Sequence, residues 1–111
     1  EKLFDVLVIA PCTGNTLGKL ACGIYDTAPT LAVKSHRRNG GPVLIAVSTN
    51  DALAGAAAGI GLMQNRKGIY FVPYEQDDYR QKPTSCVADF ERILPAAEAA
   101  LEGRQLQPLL F

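Results

Sequence analysis

The sequence has 111 residues, 48% of them apolar and 20% charged, with eleven basic and eleven acidic side chains, a balance that fits one ordinary globular domain. No apolar run approaches the roughly 18 uncharged residues of a membrane span, and Glu1-Lys2 before a short apolar run does not read as a signal peptide, so a cytoplasmic setting is expected. With zero net charge, and basic residues scattered except at Arg37-Arg38, there is no electrostatic footprint for nucleic acid or an anionic membrane.

The first run, Leu3 to Ala10, is almost unbroken in apolar character and stops at Pro11, the pattern of a strand covered on both faces. A helical period follows, with Leu17, Leu20, Ala21 and Ile24 on one face. Pro29 is placed to open a short helix after Asp26-Thr27, and Asn39-Gly40-Gly41 to close it. Pro42 to Val47 reads as a second strand. Asp51 then stands where an N-cap belongs, ahead of a helix carrying Leu53, Ala57 and Ile60; Arg66-Lys67 and Gly68 supply the cations and glycine of its exit. Gly68 to Val72 is a third strand. After Pro83, Thr84 or Ser85 is expected to start a last helix on the spacing of Val87, Phe90, Leu94, Ala97 and Leu101, kinked or restarted at Pro95 and ended by Gly103.

This order predicts an α/β fold with parallel strands joined by right-handed crossovers. Three strands are half of a doubly wound sheet and leave the edge of Leu3 to Ala10 without a neighbour. The expectation is therefore a single domain over 1–111, the C-terminal half of a Rossmann-like three-layer fold whose N-terminal half is missing, with a C-terminal tail over 104–111. That tail concentrates Leu106, Leu109, Leu110 and Phe111, which are expected to pack on the missing half or on a neighbouring protomer.

Ligands of open parallel sheets bind outside the carboxyl ends of the strands. Three segments fall there: Pro11-Cys12-Thr13-Gly14-Asn15-Thr16, Ser48-Thr49-Asn50-Asp51 and Pro73 to Asp78. The first offers a glycine for close approach and hydroxyl and amide groups for ring heteroatoms, although Thr13 or Asn15 serves equally well as a plain N-cap. Gly14 to Lys19 falls one residue short of a phosphate-binding loop and lacks its Ser or Thr; Gly55, Gly59 and Gly61 fail as a dinucleotide fingerprint at Gln64 and suit close packing better. Asp77-Asp78 reads as a cation or partner site or simply as a solvated pair, and His36 as a complement to a helix dipole. Cys12, Cys22 and Cys86 are odd in number and widely spaced, which argues for reduced thiols over a disulfide framework and against a zinc site with His36. Cys12, at a helix N-terminus, is either an activated thiol or a small buried residue. No metal is expected.

Pro11 to Thr16, continued by Leu17 to Asp26, resembles the flavoprotein family of homo-oligomeric, flavin-containing cysteine decarboxylases, which carries P-A-S-A-N-T in this context. Within that family the sequence is more similar to the dipicolinate synthase branch, through Ser48 to Leu53, Phe71 to Asp78, Lys82-Pro83 and Leu101 to Pro108, over essentially the whole chain. The resemblance implies an FMN-binding Rossmann-like protein with flavin at an interface of its homo-oligomer. Pro11, Cys12, Thr13, Gly14, Asn15, Thr16 and Ser48 would line the cofactor, and Asn15 and Asn50 the substrate. Val47 and Thr49 replace the proline and methionine of the decarboxylases' P-x-M-N motif, which speaks against decarboxylation of a cysteine peptide. The family's phosphate-binding glycine loop and its histidine belong to the half that is missing.

The implied function is that of an oxidoreductase subunit of dipicolinate synthase, oxidising dihydrodipicolinate to dipicolinate in the mother cell of a sporulating bacterium. It would act with a nicotinamide-binding partner, the A subunit of the synthase, which holds NAD(P). A flavin-dependent decarboxylase and a scaffold without flavin are the alternatives. The residues themselves offer no evident catalytic base.

Overall fold

The three apolar runs each form a strand, and they pair in parallel. The computed structural model describes residues 6–110, so Leu3, Phe4, Asp5 and Phe111 lie outside the described residues. The elements are β1 (Leu7–Cys12), α1 (Gly14–Cys22), α2 (Ala28–Arg38), β2 (Val43–Thr49), α3 (Ala57–Gln64), β3 (Ile69–Phe71), β4 (Tyr74–Asp78), β5 (Lys82–Ala88), a 3-10 turn (Phe90–Arg92) and α4 (Ile93–Leu101). Leu7, Val43 and Ile69 stand in one register, as do Ile9, Ile45 and Phe71. Val43 to Val47 are fully buried, as a strand covered on both faces requires. β1 does not stop at Pro11. It runs through a cis Ala10–Pro11 peptide to Cys12, with an irregular register between Ile9 and Cys12, where the proline has no N–H to give.

Local chemistry explains most helix ends. The Thr13 hydroxyl accepts from the Thr16 N–H at 3.4 Å and so caps α1, which leaves through Gly23 in the left-handed region. Thr27 and Thr30 cap α2 reciprocally, with Pro29 in its first turn. Asp51, in contrast, caps no helix. Its carboxylate takes the Thr49 hydroxyl at 2.6 Å, its carbonyl accepts from Ala54 and Ala56, and residues 51–56 form turns, so α3 begins only at Ala57. Arg66 complements a different helix from the one it follows: its guanidinium donates to the carbonyls of Leu20 and Ala21 at 3.1 Å, in the last turn of α1. Gly59 faces α1, where an added Cβ would reach Leu17 and Ala21 at ordinary van der Waals distance, while Gly61 faces open space.

The largest correction concerns residues 74–88. No helix starts at Thr84 or Ser85; β4 and β5 form an antiparallel hairpin, and β5 also pairs antiparallel with the last two residues of β2, Ser48 opposite Val87 and Thr49 opposite Cys86. The sheet is therefore mixed, with order β1-β2-β5-β4 and β3 beside β2, and not wholly parallel. The chain turns helical only after Asp89, whose carboxylate accepts from Glu91 at 3.1 Å; Pro95 then falls in the first turn of α4, where a proline is tolerated. Among the described residues β1 pairs with β2 alone.

Two apolar sets face in unexpected directions. Phe90, Leu94 and Leu101 are exposed, and α4 instead buries Ala96, Ala99 and Ala100, small enough for close approach to β2 and β3. Leu106 and Leu109 of the tail are partly buried against this chain's own core. Gln105 explains their path. Its amide accepts from the Phe71 N–H at 2.8 Å and donates to the Phe71 carbonyl, extending the β3 edge, and Tyr74 N–H donates to Leu109 at 2.9 Å; Leu110 stays exposed. Among the described residues no helix is long and apolar enough to cross a membrane.

Candidate functional site

A cleft opens where β2 changes partners. Val47 still pairs with Cys12 of β1, whereas Ser48 and Thr49 pair with β5, so the ends of β1 and β2 part around a hollow of about 500 Å³. Thr13, Gly14, Ser48, Thr49 and Asn50 line one side, and Asp77, Lys82, Ser85 and Cys86 of the hairpin line the other. Of the three segments that the sequence sets at the strand ends, Pro11 to Thr16 and Ser48 to Asp51 are thus side by side, and the third reaches the cleft through Asp77. Gly14 is the tightest point: a Cβ there would lie 2.8 Å from the Thr49 hydroxyl and 3.2 Å from the Asp51 carboxylate. The space left by its missing side chain is taken by this chain's own polar groups, a second reason for glycine besides ligand approach.

The segment Pro11 to Thr16 divides into structural and available groups. Cys12 belongs to the first kind: it is 0% exposed, and burial pushes its thiol up to about 12, so it offers a ligand its backbone only and is not an activated thiol. Thr13 is committed to the α1 cap, donated by the Thr16 N–H. Because Thr13 holds that role, Asn15 is free of it; its amide is exposed at the α1 N-terminus and hydrogen-bonds to no other described residue. Asn50 presents an exposed side chain in the same way, on a backbone pinned by the Thr84 hydroxyl, which donates to its carbonyl at 2.8 Å. Pro11 is exposed and Ser48 half-buried; of Pro11 to Thr16, Thr13 and Gly14 alone line the hollow.

The hairpin brings Lys82 and Ser85, whose place the helical spacing concealed, to the same cleft as Asp77. Asp77 is held below the usual carboxylate range, chiefly by the Ser85 hydroxyl and further by the charge of Lys82. Burial raises the Cys86 thiol, with the Asp77 charge adding to it. Thr84, Ser85 and Lys82 were legible only through the β-branched and hydroxyl residues around Pro83, flanked by a polar turn over 79–81. Asp77 thus faces the cleft, while Asp78 accepts from the Gln81 N–H at the hairpin turn at 3.3 Å. His36 lies away from this site, buried on Gly41 in the last turn of α2. Lys19, the lysine of the apparent phosphate loop, pairs with Asp26 at 2.9 Å. Cys12, Cys22 and Cys86 are all free, and among the described residues no three His, Cys, Asp or Glu side chains gather as for a metal.

Residues 1–67 match the family model described as Flavoprotein, more than half of the sequence. The chain belongs to the flavoprotein family. It is 42% identical over 106 residues to the B subunit of dipicolinate synthase from Bacillus subtilis (strain 168), covering 96% of this chain and 53% of that relative. The crystal structure of the B subunit of dipicolinate synthase from Bacillus halodurans superposes with a TM-score of 0.96 at 42% identity, over 98% of this chain and 56% of the other. The FMN-dependent cysteine decarboxylase SpaF superposes with a TM-score of 0.61 at 25% identity, over 89% of this chain and 52% of that one. The chain thus spans about half the length of the relatives it matches. The flavoprotein segment Pro11 to Thr16 and Ser48 to Asn50 lie within the family match.

Proposed function

We propose that this chain is the C-terminal half of a doubly wound, three-layer flavoprotein domain that serves as the FMN-binding component of dipicolinate synthase, oxidising dihydrodipicolinate to dipicolinate. Its likeness to the Bacillus halodurans synthase protein over 98% of its length, at a TM-score of 0.96, carries this reading. The cleft is compatible with it. The exposed amide of Asn50 and the Ser48 hydroxyl in its lining, with the exposed Asn15 amide one residue beyond the lining residue Gly14, suit the edge of a flat heteroaromatic ring. When bound, the flavin supplies a hydride acceptor. Its phosphate would be held by the other half of the domain, and NAD(P) by the nicotinamide-binding partner. The setting is the cytoplasm of the mother cell in a sporulating bacterium, in a homo-oligomer that completes the cofactor site.

This chain's own residues have definable tasks in that reaction. Lys82 places a positive charge at the cleft mouth for one substrate carboxylate, and Asn15 and Asn50 orient the ring. Asp77, ionised at neutral pH, accepts a hydrogen bond more readily than it removes a proton. A flavin-dependent decarboxylase is the second reading, favoured by the likeness to SpaF. Against it, Val47 stands fully buried and the Thr49 hydroxyl is engaged by Asp51, so neither presents a substrate-binding side chain as P-x-M-N does. Product analysis of the full-length protein with its nicotinamide-binding partner separates the readings: dipicolinate supports the first, carbon dioxide release from a cysteine peptide the second. A colourless protein that is inactive without that partner and takes up no FMN would reduce it to a scaffold.

A further inference from the structure

The chain holds a second cavity, of about 350 Å³, at the other end of the parallel strands. It is lined by Ile69, which pairs with Val43 where β2 and β3 begin, whereas the cleft described above lies beyond Val47 where β2 ends. Its floor is apolar: Leu20, Val33, Met63 and Ile69 are all buried. Around this floor stand Lys34, Arg37, Arg66 and Lys67, with no carboxylate among the described lining residues. In a chain with eleven basic and eleven acidic side chains, four cations share one hollow without a described acidic residue in its wall.

The guanidinium groups are fixed in place by neutral partners. Arg37 donates to the carbonyls of Gly41 at 2.7 Å and Lys67 at 3.0 Å, and its head fills the space against Gly68, whose φ of +86° and missing Cβ both suit that contact. Arg66 donates to Leu20 and Ala21. Each guanidinium carries five N–H donors and spends two on these carbonyls, so donors remain, and carbonyl partners leave both positive charges in place. Lys34 lies 5.2 Å above the Tyr25 ring, an aromatic wall of the same hollow. A bare inorganic anion would leave the apolar floor uncovered, and an apolar molecule would leave four cations uncovered. A small ring bearing carboxylates satisfies both, and the volume lies within the range of small-molecule sites.

We infer that the hollow between α1, α2 and the α3–β3 turn is a binding site for a small planar aromatic carboxylate, separate from the cleft at the opposite strand ends. This assignment stands independently of the flavin reading. Should that reading hold, the dicarboxylate product belongs to the same chemical class, and the site would sense product at a distance from the reaction.

Met63 provides the test, since it is the single methionine of this sequence and its side chain forms part of the floor. Full-length protein labelled at the methionine methyl with carbon-13 is titrated with pyridine-2,6-dicarboxylate and, separately, with inorganic phosphate; Met63→Leu assigns the signal. A saturable shift of the Met63 methyl with the pyridine dicarboxylate but not with phosphate is expected. It should weaken at least tenfold in Lys34→Gln/Lys67→Gln, which spares both guanidiniums and their backbone contacts, and persist in Asn15→Ala. No shift, an equal response to phosphate, or unchanged affinity in the double variant would overturn the assignment. A shift abolished by Asn15→Ala would move the ligand to the cleft and overturn it as well.

Discussion

β2 joins two regions built on different terms. Its first five residues, Val43 to Val47, are buried between parallel neighbours, while Ser48 and Thr49 pair antiparallel with a hairpin whose outer strand, Glu75 to Asp77, is exposed. The parallel region draws its stability from side-chain burial. The hairpin buries only Tyr74, Cys86 and Ala88 in the core among its described apolar residues and adds backbone pairing and a few hydroxyl contacts, such as Thr84 to Asn50 and Ser85 to Asp77. One strand can serve both because burial and ligand access are separated along its length, and the cleft lies at the point of separation. Stability and function should therefore respond to different substitutions.

Phe71→Ala should have the largest effect, a loss of about 3–5 kcal/mol in urea unfolding, since Phe71 is among the largest fully buried side chains and packs beside Tyr74. Gly14→Ala strikes the junction itself: displacement of Thr49 and Asp51 is expected to cost about 1–3 kcal/mol and to weaken FMN binding in the full-length protein. Wild-type stability in that variant would show that the junction yields freely. Thr84→Val, which frees the Asn50 backbone, should cost only about 0.5–1.5 kcal/mol in thermal unfolding yet alter turnover of the full-length protein with the partner proposed above. Equal effects of Phe71→Ala and Thr84→Val on stability would erase the distinction between the two regions.

The thiols probe the same contrast without a substitution. Cys22 is exposed and Cys12 fully buried, so an aromatic disulfide reagent at pH 8 should modify Cys22 in the folded protein and reach Cys12 only on unfolding. The folded pKa of Cys12 lies above its ordinary value of 9, so burial of the neutral thiol contributes stability in full below pH 9. That contribution is lost as pH rises from 9 towards about 12, where the unfolded chain ionises and the folded one does not. Alkaline unfolding curves of wild type and Cys12→Ala should converge over that window.

Much of the parallel region was legible because burial on both faces writes itself into the chain as unbroken β-branched runs. Turn chemistry was equally direct at Pro29, Gly40 and Gly103. The hairpin was illegible for a physical reason: Val87, Phe90, Leu94, Ala97 and Leu101 mimic a buried helical face, while Phe90, Leu94 and Leu101 are in fact exposed. What makes Lys82–Ala88 a strand is pairing with Ser48, Thr49 and Tyr74 to Gln76, which no local period records. The site followed the same division. Asn50, Ser48 and Asp77 belong to segments that the sequence sets at the strand ends, and all three line the cleft, whereas Lys82 and Ser85 were hidden with the hairpin that carries them. Asp51 shows a further limit, since its carboxylate serves Thr49 and not the helix it precedes.

If the cleft at the ends of β1 and β2 receives the flavin ring, Asn15, released from capping by Thr13, helps to hold it. Titration of FMN into the full-length apoprotein, followed by flavin fluorescence in wild type and in Asn15→Ala, tests this without intermediate steps. Saturable binding by wild type and about tenfold weaker binding by the variant are expected, as for a lost hydrogen bond of about 1.4 kcal/mol, with little change in thermal stability. Equal binding by both proteins, or a variant that loses stability as a cap mutant does while retaining FMN, would contradict the placement of the flavin ring against Asn15.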